Sequence, residues 1–179
     1  GRTATPQLAE TVSAVVFNPT WTVPQSIVKG EGLGARVLGN PGWARANGYK
    51  ATRGANGWVS VVQSPGPGNA LGLMKIDMPN KHAIYFHDTP AKKYFNHDVR
   101  AYSHGCIRTE RAVELGMTIA MLGAGLDASE ASQISSSREY TKVQMTRTFP
   151  AYITYMTFAR GIDGKLKKFG DIYGRDKPV

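Results

Sequence analysis

A mainly β fold, an antiparallel sandwich or barrel-like arrangement with one or two peripheral helices, is predicted by three features of the sequence. Strand-like apolar runs are short and numerous, and only one stretch sustains a helical period. Gly and Pro, 20 and 10 of 179 residues, break up the N-terminal third. Together they point away from a doubly wound sheet, in which long helices alternate with strands.

Val12 to Phe17 reads as the first strand. Asn18-Pro19-Thr20-Trp21, Val23-Pro24, the Gly30 to Gly34 run, Asn40-Pro41-Gly42 and Asn47-Gly48 then favour short elements joined by turns. The small, polar, glycine-rich stretch at about residues 24–57 reads as an inserted lid within one domain covering 1–179. Trp58 to Val62 predicts a strand, Ser64 to Asn69 a forced loop, and Leu71 to Met78 another strand. Pro79-Asn80 turns the chain into a further strand, Ala83 to His87.

The spacing of Ala112, Leu115, Ile119 and Leu122 predicts a helix from about Glu110 to Leu122 with those residues buried and Thr109 as N-cap. A second, shorter helix, Ala128 to Ser137, is expected after Asp127. The tail returns to strands at Lys142 to Thr148, Ala151 to Phe158 and, after an Asp163-Gly164 turn, Leu166 to Phe169.

Hydrophobic residues at 41% and charged residues at 20% exclude a disordered or fibrous chain. No run approaches the roughly 18 apolar residues of a membrane span, so this stretch is not expected to cross a bilayer. The net charge of +9 suits nucleic acid, an anionic membrane surface or an acidic polymer such as cell-wall glycan. No nucleic-acid motif accompanies it, so no nucleic-acid partner is expected. The lysines Lys92-Lys93 and Lys165-Lys167-Lys168 read as solvated surface.

The chemistry-bearing stretch is Tyr85-Phe86-His87-Asp88-Thr89-Pro90, followed by Ala101-Tyr102-Ser103-His104-Gly105-Cys106-Ile107-Arg108-Thr109. Cys106 is the only cysteine, hence either a buried inert thiol or a reactive one. Lying just ahead of the predicted helix, it is expected to feel the positive end of the helix dipole and to favour thiolate. Two imidazoles are at hand, His104 two residues before it and His87 at the end of a strand. The N–H groups of Gly105 and Cys106 can converge as an oxyanion site. Against this stands the bland reading of a small buried hydrophobe and a structural histidine. A zinc site from His82, His87, His97 and Cys106 lacks any CxxC or HExxH spacing. The Gly30-x-Gly32-x-Gly34 run opens no strong helix, as a phosphate loop would.

Ser103-His104-Gly105-Cys106-Ile107-Arg108, with His87 upstream, resembles the signature of the L,D-transpeptidase (YkuD) catalytic domain. Residues 16–24, 63–72 and 85–90 extend the likeness, which is to the YcbB-like branch with its capping insertion. Many family members carry Asn where this chain has Arg108, and the stretch 24–57 is short for a cap. The resemblance implies an L,D-transpeptidase-type β-sandwich and a peptidoglycan L,D-transpeptidase. In it Cys106 is the nucleophile, His87 the base, and a thioester leads to a 3→3 cross-link between stem peptides.

It further implies that His104, Gly105, Ser103 and Asp88 support the oxyanion site or the base, a backbone carbonyl being favoured as the partner of His87. Arg108, Tyr85 and Tyr102 would contact substrate, with Trp21 beside them; core aromatics, or an Arg108 that anchors the loop to an acidic side chain, are the alternatives. No metal or organic cofactor is called for, carbapenem-type inhibitors should acylate the cysteine, and a periplasmic or cell-envelope location follows from the substrate. An L,D-carboxypeptidase or endopeptidase hydrolysing the same acyl-enzyme, or a catalytically silent wall-binding module, are the competing functions.

Overall fold

The computed structural model describes residues 4–176, and its mainly β, largely antiparallel architecture with few helices is the one the sequence predicts. A five-stranded sheet has the order β7-β6-β5-β1-β8. Its members are β1 (Leu8–Phe17), β5 (Met74–Asp77), β6 (Phe86–His87), β7 (Ile107–Arg108) and β8 (Thr141–Ile153). All pairs are antiparallel except β6 with β7.

The two tail strands expected at 142–148 and 151–158 are one continuous strand, β8, with Pro150 opposite Thr11 of β1. Proline is tolerated there because β8 is an edge strand, where a missing N–H breaks no second ladder. Strand β1 starts earlier than expected, and a register shift between Val12 and Ala14 absorbs a bulge. A hairpin of β9 (Phe158–Arg160) and β10 (Leu166–Lys168) follows.

Helix α4 (Ala112–Ala124) packs on the sheet to form the main core with Val15, Phe17, Met74, Ile76 and Val143. The expected stripe is buried only in part: Ala112 is buried and Ile119 packs against the core. Ala112, Gly116, Ala120 and Gly123 face the sheet, whereas Leu115 and Leu122 are exposed. The physical reason is close approach: a Cβ on Gly116 would lie 2.6 Å from Met74 Cγ, and one on Gly123 would lie 2.9 Å from the Arg147 carbonyl oxygen. The helix begins at Arg111, with no side-chain cap, rather than at Thr109. It ends at Gly125 in the left-handed conformation, φ 74°. Helix α5 (Ala128–Ser136) follows, with a capping box between Asp127 and Glu130.

A second, smaller core lies under a three-stranded sheet of order β2-β4-β3: β2 (Trp21–Thr22), β3 (Tyr49–Arg53) and β4 (Val59–Gln63). Three short helices, α1 (Gln25–Gly30), α2 (Leu33–Gly39) and α3 (Pro41–Ala46), precede β3. Val23, Val28, Val37, Ala44 and Val61 fill this core. The Gly-Pro punctuation held these helices to six or seven residues without preventing them. Asn40 caps α3 by accepting from Trp43 N–H at 3.0 Å, with Pro41 at the first helical position.

Candidate active site

The strand pair β6 and β7 brings the two halves of the chemistry-bearing sequence together. Phe86 pairs with Ile107 and His87 with Arg108. Ile107 N–H donates to the Tyr85 carbonyl at 3.0 Å and Thr109 N–H to the His87 carbonyl at 2.8 Å. A parallel register needs a crossover; here residues 88–106 supply it, including a 3₁₀ turn at Lys92–Asn96. Cys106 thereby comes level with Tyr85, two residues before His87 on the neighbouring strand.

His87 is buried, and its Nδ1 is hydrogen-bonded to the Asp88 carbonyl oxygen. A carbonyl only accepts, so Nδ1 carries the proton and Nε2 the lone pair. Burial, aided by the charges of Arg108 and Lys75 and opposed by the Asp88 carbonyl, lowers its pKa from 6.5 to about 4. The imidazole is therefore neutral at pH 7.

The Asp88 carboxylate does something else. It accepts from Leu73 N–H at 3.0 Å and pairs with Lys92, which also donates to the Glu110 carbonyl at 3.1 Å. Gly72, at φ +63°, permits the approach, because a Cβ there would lie 2.6 Å from Asp88 Cβ. Buried Asn69 pins the same loop by donating to the Ser64 carbonyl at 2.9 Å and accepting from Leu71 N–H at 2.8 Å.

Cys106 is half-buried and followed by β7, six residues before α4 begins. It is therefore not at a helix N-terminus, and the expected lowering of its pKa does not occur. Burial pushes the thiol up, against the opposing pull of the Tyr85 backbone N–H and hydroxyl and of Lys75 and Arg108. At neutral pH the site holds a neutral thiol and a neutral imidazole. Tyr85 sits between them: its ring meets that of His87 edge-on at 5.7 Å and lies under Lys75 Nζ at 4.7 Å. Burial and the neighbouring Cys106 raise the Tyr85 pKa, so its hydroxyl keeps its proton.

The loop before the cysteine is held from two sides. Gly105, at φ 119°, donates its N–H to Ser103 Oγ at 3.2 Å, and its carbonyl accepts from Thr5 Oγ1 at 2.9 Å. His104 turns away from the cysteine to Glu31, with Nε2 to Oε1 at 2.6 Å. Tyr102 stacks on Tyr94 at 4.5 Å and its hydroxyl meets His97 Nδ1 at 2.6 Å. Arg108 makes no ion pair among the described residues. Its Nε is buried without a hydrogen-bond partner. No group of three His, Cys, Asp or Glu forms a metal cluster among the described residues.

Two cavities meet at Cys106. One, of about 420 Å³, is lined by Tyr85, His87, His104, Cys106 and Arg108 together with Trp21, Ile27, Glu31 and Arg36. A second, of about 280 Å³, reaches Cys106 and Arg108 past Tyr94 and Tyr173. Ser103 and Tyr102 border both. Glu31 and Arg36 escaped the sequence reading; the one available signal was Glu31 as the lone acid in an otherwise basic stretch.

The family model of the YkuD L,D-transpeptidase catalytic domain matches residues 1–119, which contain both strands of this site. The chain belongs to that family. A protein of Haemophilus influenzae provisionally named an L,D-transpeptidase is 28% identical over 190 aligned positions, covering 98% of this chain. This L,D-transpeptidase domain spans only 38% of that relative's length. No helix among the described residues is long and apolar enough to cross a membrane.

Proposed function

We propose that the domain is a peptidoglycan L,D-transpeptidase in which Cys106 is the nucleophile and His87 the general base. The observation that carries this reading is the single cavity onto which Cys106 and His87 both open from adjacent strands. With Nδ1 held by the Asp88 carbonyl, Nε2 is the nitrogen able to take a proton. The donor is a stem tetrapeptide. Cys106 Sγ attacks the carbonyl carbon of its third, diamino-acid residue as the thiol proton passes to His87 Nε2. The imidazolium returns that proton to the amine of D-Ala as the C–N bond breaks, leaving a thioester. The side-chain amine of a second stem then attacks the thioester, His87 takes its proton, and the thiol re-forms as the 3→3 cross-link is made.

A neutral resting pair fits this scheme, because proton transfer accompanies attack instead of preceding it. Tyr85, with N–H and hydroxyl beside Sγ, stabilises the thiolate as it develops. The second cavity reaching Cys106 gives an acceptor amine its own approach, which favours transfer over hydrolysis. The segment 24–57 acts as the lid over the larger cavity. The substrate places the enzyme in the periplasm or cell envelope.

Intact-protein mass after incubation with a carbapenem tests the assignment in the wild type, Cys106→Ala and His87→Ala. A stoichiometric adduct that is absent in Cys106→Ala and slowed in His87→Ala is expected. A folded wild type without any adduct overturns the reading. Products formed from a tetrapeptide with and without an acceptor amine separate cross-linking from hydrolysis to the tripeptide.

A further inference from the structure

The second core contributes part of the wall of the larger cavity, and it carries a guanidinium without an acidic partner among the described residues. Arg36 on α2 lines the cavity and forms no ion pair among the described residues. Its Cζ stands 3.8 Å from the centroid of the Trp43 ring, and Trp43 stacks on Tyr49 at 5.5 Å and 15°. Stacking occupies the face of the guanidinium and restrains its rotamers, while the N–H edge stays available for a bidentate partner. Asn40 fixes the start of the helix that carries Trp43, so the platform under Arg36 is built in.

Charge around it supports an anionic ligand. Residues 24–57 hold Lys29, Arg36, Arg45, Lys50 and Arg53 against Glu31. Glu31 is the one carboxylate lining this cavity, and it is turned to His104. Across the cavity Arg108 presents a second guanidinium whose buried Nε lacks a partner. A neutral substrate would give neither guanidinium a charged partner.

We infer that Arg36 is a specificity residue that binds a free carboxylate of the donor stem on the side of the scissile bond retained by the enzyme. The inference rests on the transpeptidase reading above. In a stem peptide two groups supply that chemistry: the α-carboxyl of the second residue and a side-chain carboxyl on the third. Amidation of the correct one removes the charge while keeping the shape, so the enzyme discriminates acidic from amidated stems.

The test uses three synthetic tetrapeptides, one with both carboxyls free and one amidated at each position. Their Kd values are measured by calorimetry on Cys106→Ala, which cannot turn them over, and kcat/KM is measured on the wild type. One amidated peptide is expected to bind about 10- to 100-fold more weakly than the free acid. The position that does so identifies the carboxylate. In Cys106→Ala carrying Arg36→Gln the acid-to-amide ratio collapses toward one, and Arg36→Lys recovers part of it. Equal binding of all three peptides overturns the inference, as does an equal loss for all three in Arg36→Gln. Carboxylate-dependent binding without a thioester on the wild type would leave the anchor standing and remove the nucleophile assignment. A thioester without carboxylate dependence would do the reverse.

Discussion

Beneath α4, backbone meets backbone closely: glycines at 116 and 123 let the helix settle on the sheet, and long strands β1 and β8 pair along nine registered positions. Beneath α1, α2 and α3 the core is five small residues, Val23, Val28, Val37, Ala44 and Val61, under helices of two turns or less. The first region is held by extended pairing and helix–sheet contact, the second by shorter pairing, five positions between β3 and β4 and two between β2 and β4, and by packing of small side chains. The proposed nucleophile and base stand on the first, and the guanidinium and carboxylate that face them stand on the second. The groups proposed to make and break bonds thus share a sheet, which suits a fixed distance between them, whereas the guanidinium proposed to grip substrate sits on the part with the smaller core, which is expected to open at lower cost.

Removing the base tests the rigid half most severely. His87→Ala is expected to slow carbapenem acylation about 10²- to 10⁴-fold, read by stopped-flow or timed mass spectrometry. A loss below tenfold would mean that another group takes the thiol proton.

Protonation of the same imidazole couples the site to stability. Its folded pKa of about 4 lies below the ordinary 6.5, so between those values the unfolded chain binds the proton that the folded chain refuses. Stability is therefore full above pH 6.5 and falls as pH drops toward 4, by on the order of 3 kcal/mol if His87 acts alone. Urea unfolding of the wild type and His87→Gln across that range should show the slope in the former and its loss in the latter.

Gly123→Ala and Val61→Ala compare the two cores directly. The first forces a methyl against the Arg147 carbonyl and should cost about 1–3 kcal/mol of global stability, seen as a lower thermal midpoint. The second empties part of a core fully sealed at Val61, and hydrogen exchange should quicken across residues 25–53 while β1 and β8 keep their protection. Equal quickening everywhere would show that the two cores unfold as one.

The strands were legible because apolar runs and turn residues are local signals. Val12 to Phe17 and Val59 to Val62 needed nothing else. The existence of α4 was legible too, but its face was not: Leu115 and Leu122 share the helical spacing that Gly116, Ala120 and Gly123 also satisfy, and only the sheet's position decides which stripe is buried. Strand β3 and the three short helices were hidden because glycines leave no period to read. At the site, His87 and Cys106 stood out through the family resemblance of the motif around them, whereas their spacing alone left the structural reading open. A backbone carbonyl as the partner of His87 was expected, and it comes from the next residue, Asp88; the parallel register and the His104 contact with Glu31 depend on residues distant in sequence, and the pKa of Cys106 depends on burial, which a loop sequence does not display.

That His104 contact supports the smallest of these effects and the one most specific to the boundary between the cores. Of the acid–base side-chain pairs among the described residues it alone joins segment 25–53 to the loop ahead of Cys106, and both partners are about half exposed, at 52% each. An exposed pair of this kind contributes no more than about 1 kcal/mol, so Glu31→Gln should move the thermal midpoint by less than about 4 °C. Its effect should appear instead where the regions meet: faster exchange of amides at 31–36 and 103–106, with those of β1 and β8 unmoved. If the midpoint fell by 10 °C, the two regions would be held together chiefly through this contact, and the division of labour between a rigid half and a gripping half would have to be abandoned.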